Sequence, residues 1–135
     1  MAGLFNSCTS ITTINNLENW DMSTVTSLNQ FFTSVTGFNQ NIGSWDVSNV
    51  TDMSDMFNGT SFNYPLSGWN VTNVTGMTGM FHNAKTFNQP LNTWDVSSVT
   101  KMDYMFRYAQ SFNQDISMWD VSSVTDLHFM FWSAI

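Results

Sequence analysis

Hydrophobic and polar positions along the chain repeat with a period of about 25 residues, which lies within the range typical of stacked repeat proteins. Tryptophan stands at the same phase of five copies, and the spacing between consecutive tryptophans is constant to within one position. Each copy opens with Trp, followed by Asp or Asn at the second position, an apolar residue at the third and Ser or Thr at the fourth. Val-Thr occupies the sixth and seventh positions. An apolar pair follows eleven residues after each Trp. The marker tryptophans are Trp20, Trp45, Trp69, Trp94 and Trp119.

Repeats of this length predict a solenoid, because one copy alone cannot bury its apolar side and must stack on its neighbours. We therefore assign residues 1–19 to an N-terminal partial coil and residues 20–135 to the solenoid. Leu4-Phe5 resembles the apolar pair of an earlier coil. The third copy begins one position early because one residue is missing between Phe57 and Phe62, which indicates an external loop.

Within one copy the pattern predicts a short helix and a short strand. An apolar stripe at helical spacing favours about two turns of α-helix or 3-10 turn, with Thr51 as the N-cap. The alternation around Trp69 and Val71 favours a strand, and stacked strands would form a narrow parallel sheet. The stripe consists of Val50, Met53, Met56 and Phe57.

The repeated apolar columns predict the core. Trp, the two Val positions after it, two Met-type positions and two Phe positions are expected to point inward in every coil. Phe-Asn recurs at Phe38, Phe62, Phe87 and Phe112. We expect its Asn to face inward and to bond the backbone of the neighbouring coil, because polar groups buried at a bend need partners.

Charge and composition exclude several classes of function. The net charge is −7, and the three basic residues, Lys85, Lys101 and Arg107, are too few for nucleic acid or anionic lipid. One cysteine, Cys8, excludes an intrachain disulfide framework and a thiolate metal cluster, and we expect it to be a small apolar packing residue. No apolar run approaches the ~18 residues of a membrane span, and no signal peptide is visible.

An acidic column follows the tryptophans and has two possible roles. Stacked carboxylates could collect Ca²⁺, or each could accept hydrogen bonds from the backbone or from Ser, as an Asx-turn or helix-start group. Asn70 interrupts the charge in the middle of the row, which favours the structural role. The column comprises Asp21, Asp46, Asn70, Asp95 and Asp120.

No catalytic, cofactor-binding or metal-binding set can be assembled from the sequence. His82 and His128 occupy different columns and do not converge, so an enzyme is not expected. The Ser and Thr columns are interpreted as capping groups rather than as an ice-binding face. Four Asn-x-Ser/Thr sequences could accept glycans if the chain is secreted by a eukaryote, although such matches are expected from composition. They are Asn49, Asn58, Asn70 and Asn73.

Positions that vary between copies carry any individual function, and they flank the predicted helix. Aromatic residues and Arg cluster in the fourth copy, and both types are enriched in binding hot spots. The candidate binding patch is Lys101, Tyr104, Arg107 and Tyr108. The uncapped solenoid ends are candidate contacts with copies of the chain or with other subunits. The end contacts are Leu4, Phe5, Phe131, Trp132 and Ile135.

The run from Phe112 to Thr125, Phe-Asn-Gln-Asp-Ile-Ser-Met-Trp-Asp-Val-Ser-Ser-Val-Thr, resembles the BspA-like surface protein repeat. This family is a short-repeat member of the leucine-rich repeat superfamily. The resemblance implies an α/β fold: an open right-handed leucine-rich-repeat-like solenoid of about five coils, each a short parallel strand plus a short helix or 3-10 turn. It also implies adhesion or interaction at a cell surface.

Together these observations predict a non-enzymatic repeat module for surface recognition or adhesion, with a protein or glycan ligand. No cofactor, nucleic acid or membrane insertion is expected. The predicted location is extracellular, at a cell surface or at a virion surface. The alternative is a structural subunit of a larger assembly, such as a virion shell or filament, that contacts its neighbours through the solenoid ends.

Overall fold

Successive repeats lie one above another and are built almost entirely from turns. The computed structural model describes residues 1–134. Within that range the regular secondary structure is one short 3-10 helix, Leu17–Asn19. Parallel pairing occurs only as isolated bridges, at one position of each coil, within the described chain. The bridged residues are Ser27, Asp52, Gly76, Lys101 and Asp126.

The predicted α/β fold is wrong. Residues 1–134 contain no α-helix and no strand longer than an isolated bridge. The segment 50–57 contains the isolated bridge at Asp52 and a turn from Ser54 onward, and Trp69 to Val71 is not extended into a sheet. A stack of turn-built coils therefore replaces the expected layers of helix and parallel sheet.

The expected helix fails because its backbone bonds the next coil instead of itself. The N–H of Met56 donates to the Met53 carbonyl oxygen at 3.2 Å, which closes a four-residue turn. Asp55, the third residue of that turn, has a φ of 56°. Positive φ at this position interrupts a right-handed helix. The Asp55 and Phe57 N–H groups then donate to Thr78 and Met80 of the following coil, at 2.8 and 2.9 Å. A helix of two turns would leave most of its terminal N–H and C=O groups unpaired, whereas stacked coils pair them.

The expected strand fails for a related reason. The Trp69 N–H donates to the Leu66 carbonyl oxygen at 3.1 Å, and the Val74 N–H donates to Val71 at 2.9 Å. Both bonds are local, so the chain turns on each side of the alternating residues. The parallel bridges instead form at the position of Gly76, beyond the second of these turns.

Two columns of phenylalanine rings form the centre of the core. Phe57 and Phe81 stack with ring centroids 5.5 Å apart, and Phe62 and Phe87 stack at 6.2 Å in the second column. The columns touch within each coil, where the Phe57 and Phe62 centroids are 4.2 Å apart. The seven core columns expected from the sequence are buried in the second to fourth coils, except that Phe112 is only partly buried. Two further columns are also buried: Ile42, Leu66 and Leu91 in one, and Val35, Thr60, Ala84 and Ala109 in the other.

Four indoles, those of Trp45, Trp69, Trp94 and Trp119, each tie their coil to the coil before it. The Trp69 Nε1–H donates to the Ile42 carbonyl oxygen at 3.1 Å, and Trp94 repeats the bond to Leu66 at 3.0 Å. The Trp69 and Trp94 rings stack at 6.5 Å with an interplanar angle of 2°. The indoles therefore fill the core and satisfy buried carbonyl groups at the same time.

Polar ladders run along the outside of the stack. The Asn88 Oδ1 accepts from the Asn113 N–H at 2.9 Å, which confirms that this column bonds the backbone of the neighbouring coil. These Asn side chains are half-buried or exposed, so the expectation that they face inward was wrong. Thr51 is not a helix N-cap: its hydroxyl donates to the Thr26 carbonyl oxygen of the preceding coil at 3.2 Å.

The two ends of the described stack differ from its middle. Phe5 stacks on Phe32 at 5.8 Å, so residues near the N-terminus continue the Phe57 column. In the fifth coil Leu127 is 47% exposed and Phe131 is 46% exposed, whereas Met102 and Phe106, one coil earlier, are fully buried. Leu4 and Trp132, two of the predicted end contacts, are exposed as well. Ile135, the last of them, lies outside the described residues.

Candidate functional site

The positions that vary between coils line up on one side of the stack, which we call the variable face. The inter-coil backbone ladder defines its four columns. They are Asn29, Ser54, Thr78, Asp103 and His128; Gln30, Asp55, Gly79, Tyr104 and Phe129; Thr33, Asn58, His82, Arg107 and Trp132; and Ser34, Gly59, Asn83, Tyr108 and Ser133.

Side-chain chemistry changes steadily along this face. The first two coils carry Ser, Thr, Asn, Gln, Asp and Gly, and the last three add His, Tyr, Arg, Phe and Trp. All four columns keep the same backbone ladder while their side chains change. A constant backbone with changing side chains is typical of the binding surface of a repeat protein.

A groove of about 260 Å³ opens in the middle of the variable face. Gly79 lies at its base, between Asp55 and Tyr104 of the adjacent coils, and has a φ of 58°. A Cβ atom added at Gly79 would lie 2.5 Å from the Asp55 Oδ1 atom. The missing side chain therefore makes the groove. Its lining residues are Asp55, Thr78, Gly79, His82, Asp103, Tyr104 and Arg107.

Arg107 forms one wall of the groove and is held by aromatic rings. Its guanidinium carbon lies 5.4 Å from the Tyr104 ring centroid, 4.8 Å from that of Tyr108 and 4.5 Å from that of Trp132. Such cation–π contacts are worth about 0.5–2 kcal/mol each, more when desolvated. The Arg107 Nε–H is buried and has no hydrogen-bond partner among the described residues. The rings fix the guanidinium while leaving it hydrogen-bonding capacity.

Two carboxylates supply acceptors to the same groove. The Asp103 Oδ1 accepts from the Thr78 hydroxyl at 2.7 Å, and the Asp55 Oδ1 accepts from the Asn58 amide at 2.9 Å. Burial raises the pKa of Asp55, a shift that the Asn58 hydrogen bond partly offsets. The nearby charge of Asp103 also raises the pKa of Asp55. Each carboxylate is oriented through one oxygen, so the other can accept from a ligand.

His82 borders the groove one coil before Arg107. Burial lowers the pKa of His82, and the positive charge of Arg107 lowers it further, while Asp55 opposes both effects. Its ring stacks against Tyr108 with centroids 6.0 Å apart. The lowered pKa favours the neutral imidazole, which can both donate and accept a hydrogen bond.

Three of the four predicted patch residues come together. Arg107 contacts the rings of Tyr104 and Tyr108, and Tyr104 and Arg107 line the groove. Lys101 lies in the bridged column and is exposed, but it is not among the lining residues. The two histidines lie in different columns, as expected: His82 stacks on Tyr108, and the His128 ring packs edge-on against Tyr104 at 6.3 Å.

The sequence analysis did not identify the two carboxylates that line the groove. Asp55, Gly79 and Asp103 were not among the candidate site residues. The signal was present in the register, because Asp55, Gly79 and Tyr104 stand at the same phase of three consecutive copies. Trp132 was assigned to the solenoid end, whereas its ring also covers the Arg107 guanidinium.

The acidic column after the tryptophans has the structural role favoured by the sequence. The Asp21 Oδ1 accepts from the Ser23 N–H at 3.0 Å and from its hydroxyl at 2.6 Å, which closes an Asx-turn. Asn70 makes the same pair of bonds with Thr72, at 3.2 and 2.7 Å. The serine hydrogen bonds lower the pKa of Asp21 and of the equivalent Asp46, Asp95 and Asp120.

Three of the possible glycan acceptors already use their amide nitrogen. The Asn49 Nδ2 donates to the Ser23 carbonyl oxygen and the Asn73 Nδ2 to that of Ser48, each at 2.7 Å. Asn58 donates to Asp55. A glycan on any of these nitrogens would replace one of its two N–H groups and place a bulky group beside an existing hydrogen bond.

Stacked turns, a continuous aromatic core and a groove on one side define a repeat protein with a lateral candidate binding site. The chain belongs to the family described as Mycoplasma protein of unknown function, DUF285, whose model matches residues 1–106 and again residues 69–135. The two matches overlap over residues 69–106, as a repeated unit allows.

No curated protein and no solved structure matches the chain. Within residues 1–134, no helix has the length and apolar character needed to cross a membrane.

Proposed function

We propose that the chain is a non-enzymatic recognition module that binds a protein or glycan ligand at the groove of its variable face. The observation that carries the proposal is the Arg107 guanidinium, whose carbon lies 4.5–5.4 Å from three ring centroids at the groove wall. Arg and aromatic residues in a partly desolvated cluster are the residue types that dominate binding energy.

The location forms a second part of the proposal. We place the module at a cell surface or in the extracellular space because its repeat resembles the BspA-like surface repeat. An antibody against the chain should then label intact cells of the source organism. Labelling that requires permeabilised cells would contradict this part while leaving the binding proposal intact.

Binding is tested by screening the labelled chain on glycan and protein arrays. Tyr104→Ala and Arg107→Ala should each weaken binding of any ligand found by at least tenfold. Tyr64→Ala and Lys85→Ala are matched controls, because Tyr64 and Lys85 are exposed and neither lines the groove. Wild-type affinity in both groove variants, for every ligand found, would overturn the proposal.

A second candidate function, a structural subunit of a larger assembly, is favoured by the exposed apolar side chains of the fifth coil. Leu127 and Phe131 occupy columns that are fully buried one coil earlier, so a neighbouring coil could cover them. Head-to-tail stacking of copies would be a heterologous contact. Light scattering after size exclusion tests it: mass should rise with concentration and fall again in Phe131→Asp. A monomer at high concentration would contradict this candidate.

A further inference from the structure

We infer that the groove over Gly79 binds a neutral polyhydroxylated ring, that is, one sugar residue of an uncharged glycan. This inference deepens the proposed recognition function and rests on it. It follows from the charges, the hydrogen-bonding groups and the size of the groove, taken together.

Charge disfavours an anionic ligand. Asp55 and Asp103 face the groove from adjacent columns, and the charge of Asp103 is close enough to disfavour ionisation of Asp55. A ligand carboxylate or sulfate would be repelled by both carboxylates, and Arg107 in the same groove offsets part of their attraction for an ammonium ligand. A neutral ligand meets no such repulsion.

Hydrogen bonding favours hydroxyl groups. Arg107 offers only donors, and the two carboxylates offer only acceptors. A hydroxyl can accept from the guanidinium and donate to a carboxylate at the same time, so adjacent hydroxyls on a ring satisfy both walls.

Size and the aromatic wall favour a single ring. The groove volume of about 260 Å³ lies below the roughly 300–1,000 Å³ of pockets for drug-sized ligands. Tyr104 is half-buried at the groove and presents an aromatic ring there. The negative face of such a ring attracts the weakly positive C–H groups of a sugar.

The decisive experiment compares Gly79→Ala with Gly59→Ala. Both glycines have positive φ, 58° and 71°, so the backbone strain of alanine is matched. At Gly79 the new Cβ would meet the Asp55 carboxylate at 2.5 Å, whereas at Gly59 the nearest atom is 3.8 Å away. Only the first substitution fills the groove.

The probes are methyl glycosides of neutral hexoses and the methyl glucuronide as an anionic counterpart, measured by saturation-transfer NMR and calorimetry. At least one neutral glycoside should bind, at least tenfold more weakly to Gly79→Ala and within twofold of wild type to Gly59→Ala. Binding of no neutral glycoside, tighter binding of the glucuronide, or an unchanged affinity in Gly79→Ala would overturn the inference.

Asp103→Asn provides a second test that does not depend on the stability of the Gly79 variant. Asparagine keeps an oxygen for the Thr78 hydroxyl but removes one negative charge from the groove. The ratio of glucuronide affinity to neutral glycoside affinity should rise at least threefold. An unchanged ratio would also overturn the inference.

These outcomes separate the inference from the proposed function. If the chain binds a protein through Tyr104 and Arg107 and binds no glycoside, the recognition function holds and the sugar inference fails. If no ligand of any class depends on Tyr104 or Arg107, the proposed function itself fails.

Discussion

Replacing Trp69 by Phe tests whether the indole column holds neighbouring coils together. Trp69 is 3% exposed, donates its Nε1–H to the Ile42 carbonyl oxygen at 3.1 Å and stacks on Trp94 at 6.5 Å. Phenylalanine keeps an aromatic ring in the column but removes the donor and part of the ring. The substitution therefore isolates the inter-coil hydrogen bond together with a small packing defect.

The expected loss of stability is about 2–3 kcal/mol, the sum of a hydrogen-bond contribution and a cavity contribution. The Ile42 carbonyl oxygen also accepts from the Trp45 N–H at 3.1 Å, so it is not left without a partner. Losing one neutral hydrogen bond in this situation costs about 1 kcal/mol. The void left by the smaller ring exceeds a methyl group, and a methyl-sized cavity costs at least about 1 kcal/mol.

Urea unfolding followed by circular dichroism measures the change, with the m-value as a check that unfolding remains cooperative. Trp20→Phe is the matched control, because Trp20 is only partly buried and the indole hydrogen bonds of residues 1–134 are made by other tryptophans. We expect it to cost less than half as much. Equal losses in the two variants, or a loss below about 0.5 kcal/mol at Trp69, would refute the role of the indole bonds.

Three further predictions concern the groove and the polar ladders. Burial raises the pKa of Asp55, so the ionised carboxylate destabilises the folded state at pH values above that pKa. Asp55→Asn should therefore raise the melting temperature at pH 7. This gain in melting temperature should vanish as the pH falls through the raised pKa. An equal gain at pH 3 and pH 7 would contradict this sign. Asn88→Ala should cost about 1–3 kcal/mol in urea unfolding because the Asn113 N–H loses its acceptor, whereas Asn88→Asp, which keeps that oxygen, should cost less. Thr75→Val should change the free energy of unfolding by less than about 0.5 kcal/mol, because the Thr75 N–H already donates to the Thr51 carbonyl oxygen at 2.8 Å. A larger loss would mean that the exposed hydroxyl ladder contributes to stability.

The side-chain pattern predicted seven of the buried columns but not which backbone bonds form. Val50, Met53, Met56 and Phe57 are all buried, as the stripe predicted. The same spacing suits an α-helix and a series of four-residue turns, because both return a side chain to the same side after three or four residues. The choice depends on where each N–H finds its acceptor. Here that acceptor lies in the next coil, one full repeat further along the chain.

The positive φ values of this column could not be predicted from the sequence either. Gly79 and Asp55 suit a left-handed conformation, but Tyr104 and Phe129 occupy the same column with φ values of 59° and 52°. Bulky residues rarely adopt this conformation on their own. The inter-coil ladder imposes it on every coil, whatever the side chain.

The candidate site shows the same division between sequence and tertiary structure. The sequence by itself determined the repeat, the aromatic core and the clustering of Tyr104, Arg107 and Tyr108, because these depend on composition and on periods along one chain. Only the tertiary structure decided that Gly79 opens a groove and that Asp55 and Arg107 share it. Those two residues lie about one repeat before and one repeat after Gly79, and the stacking of coils, which local spacing does not encode, brings both to the same groove.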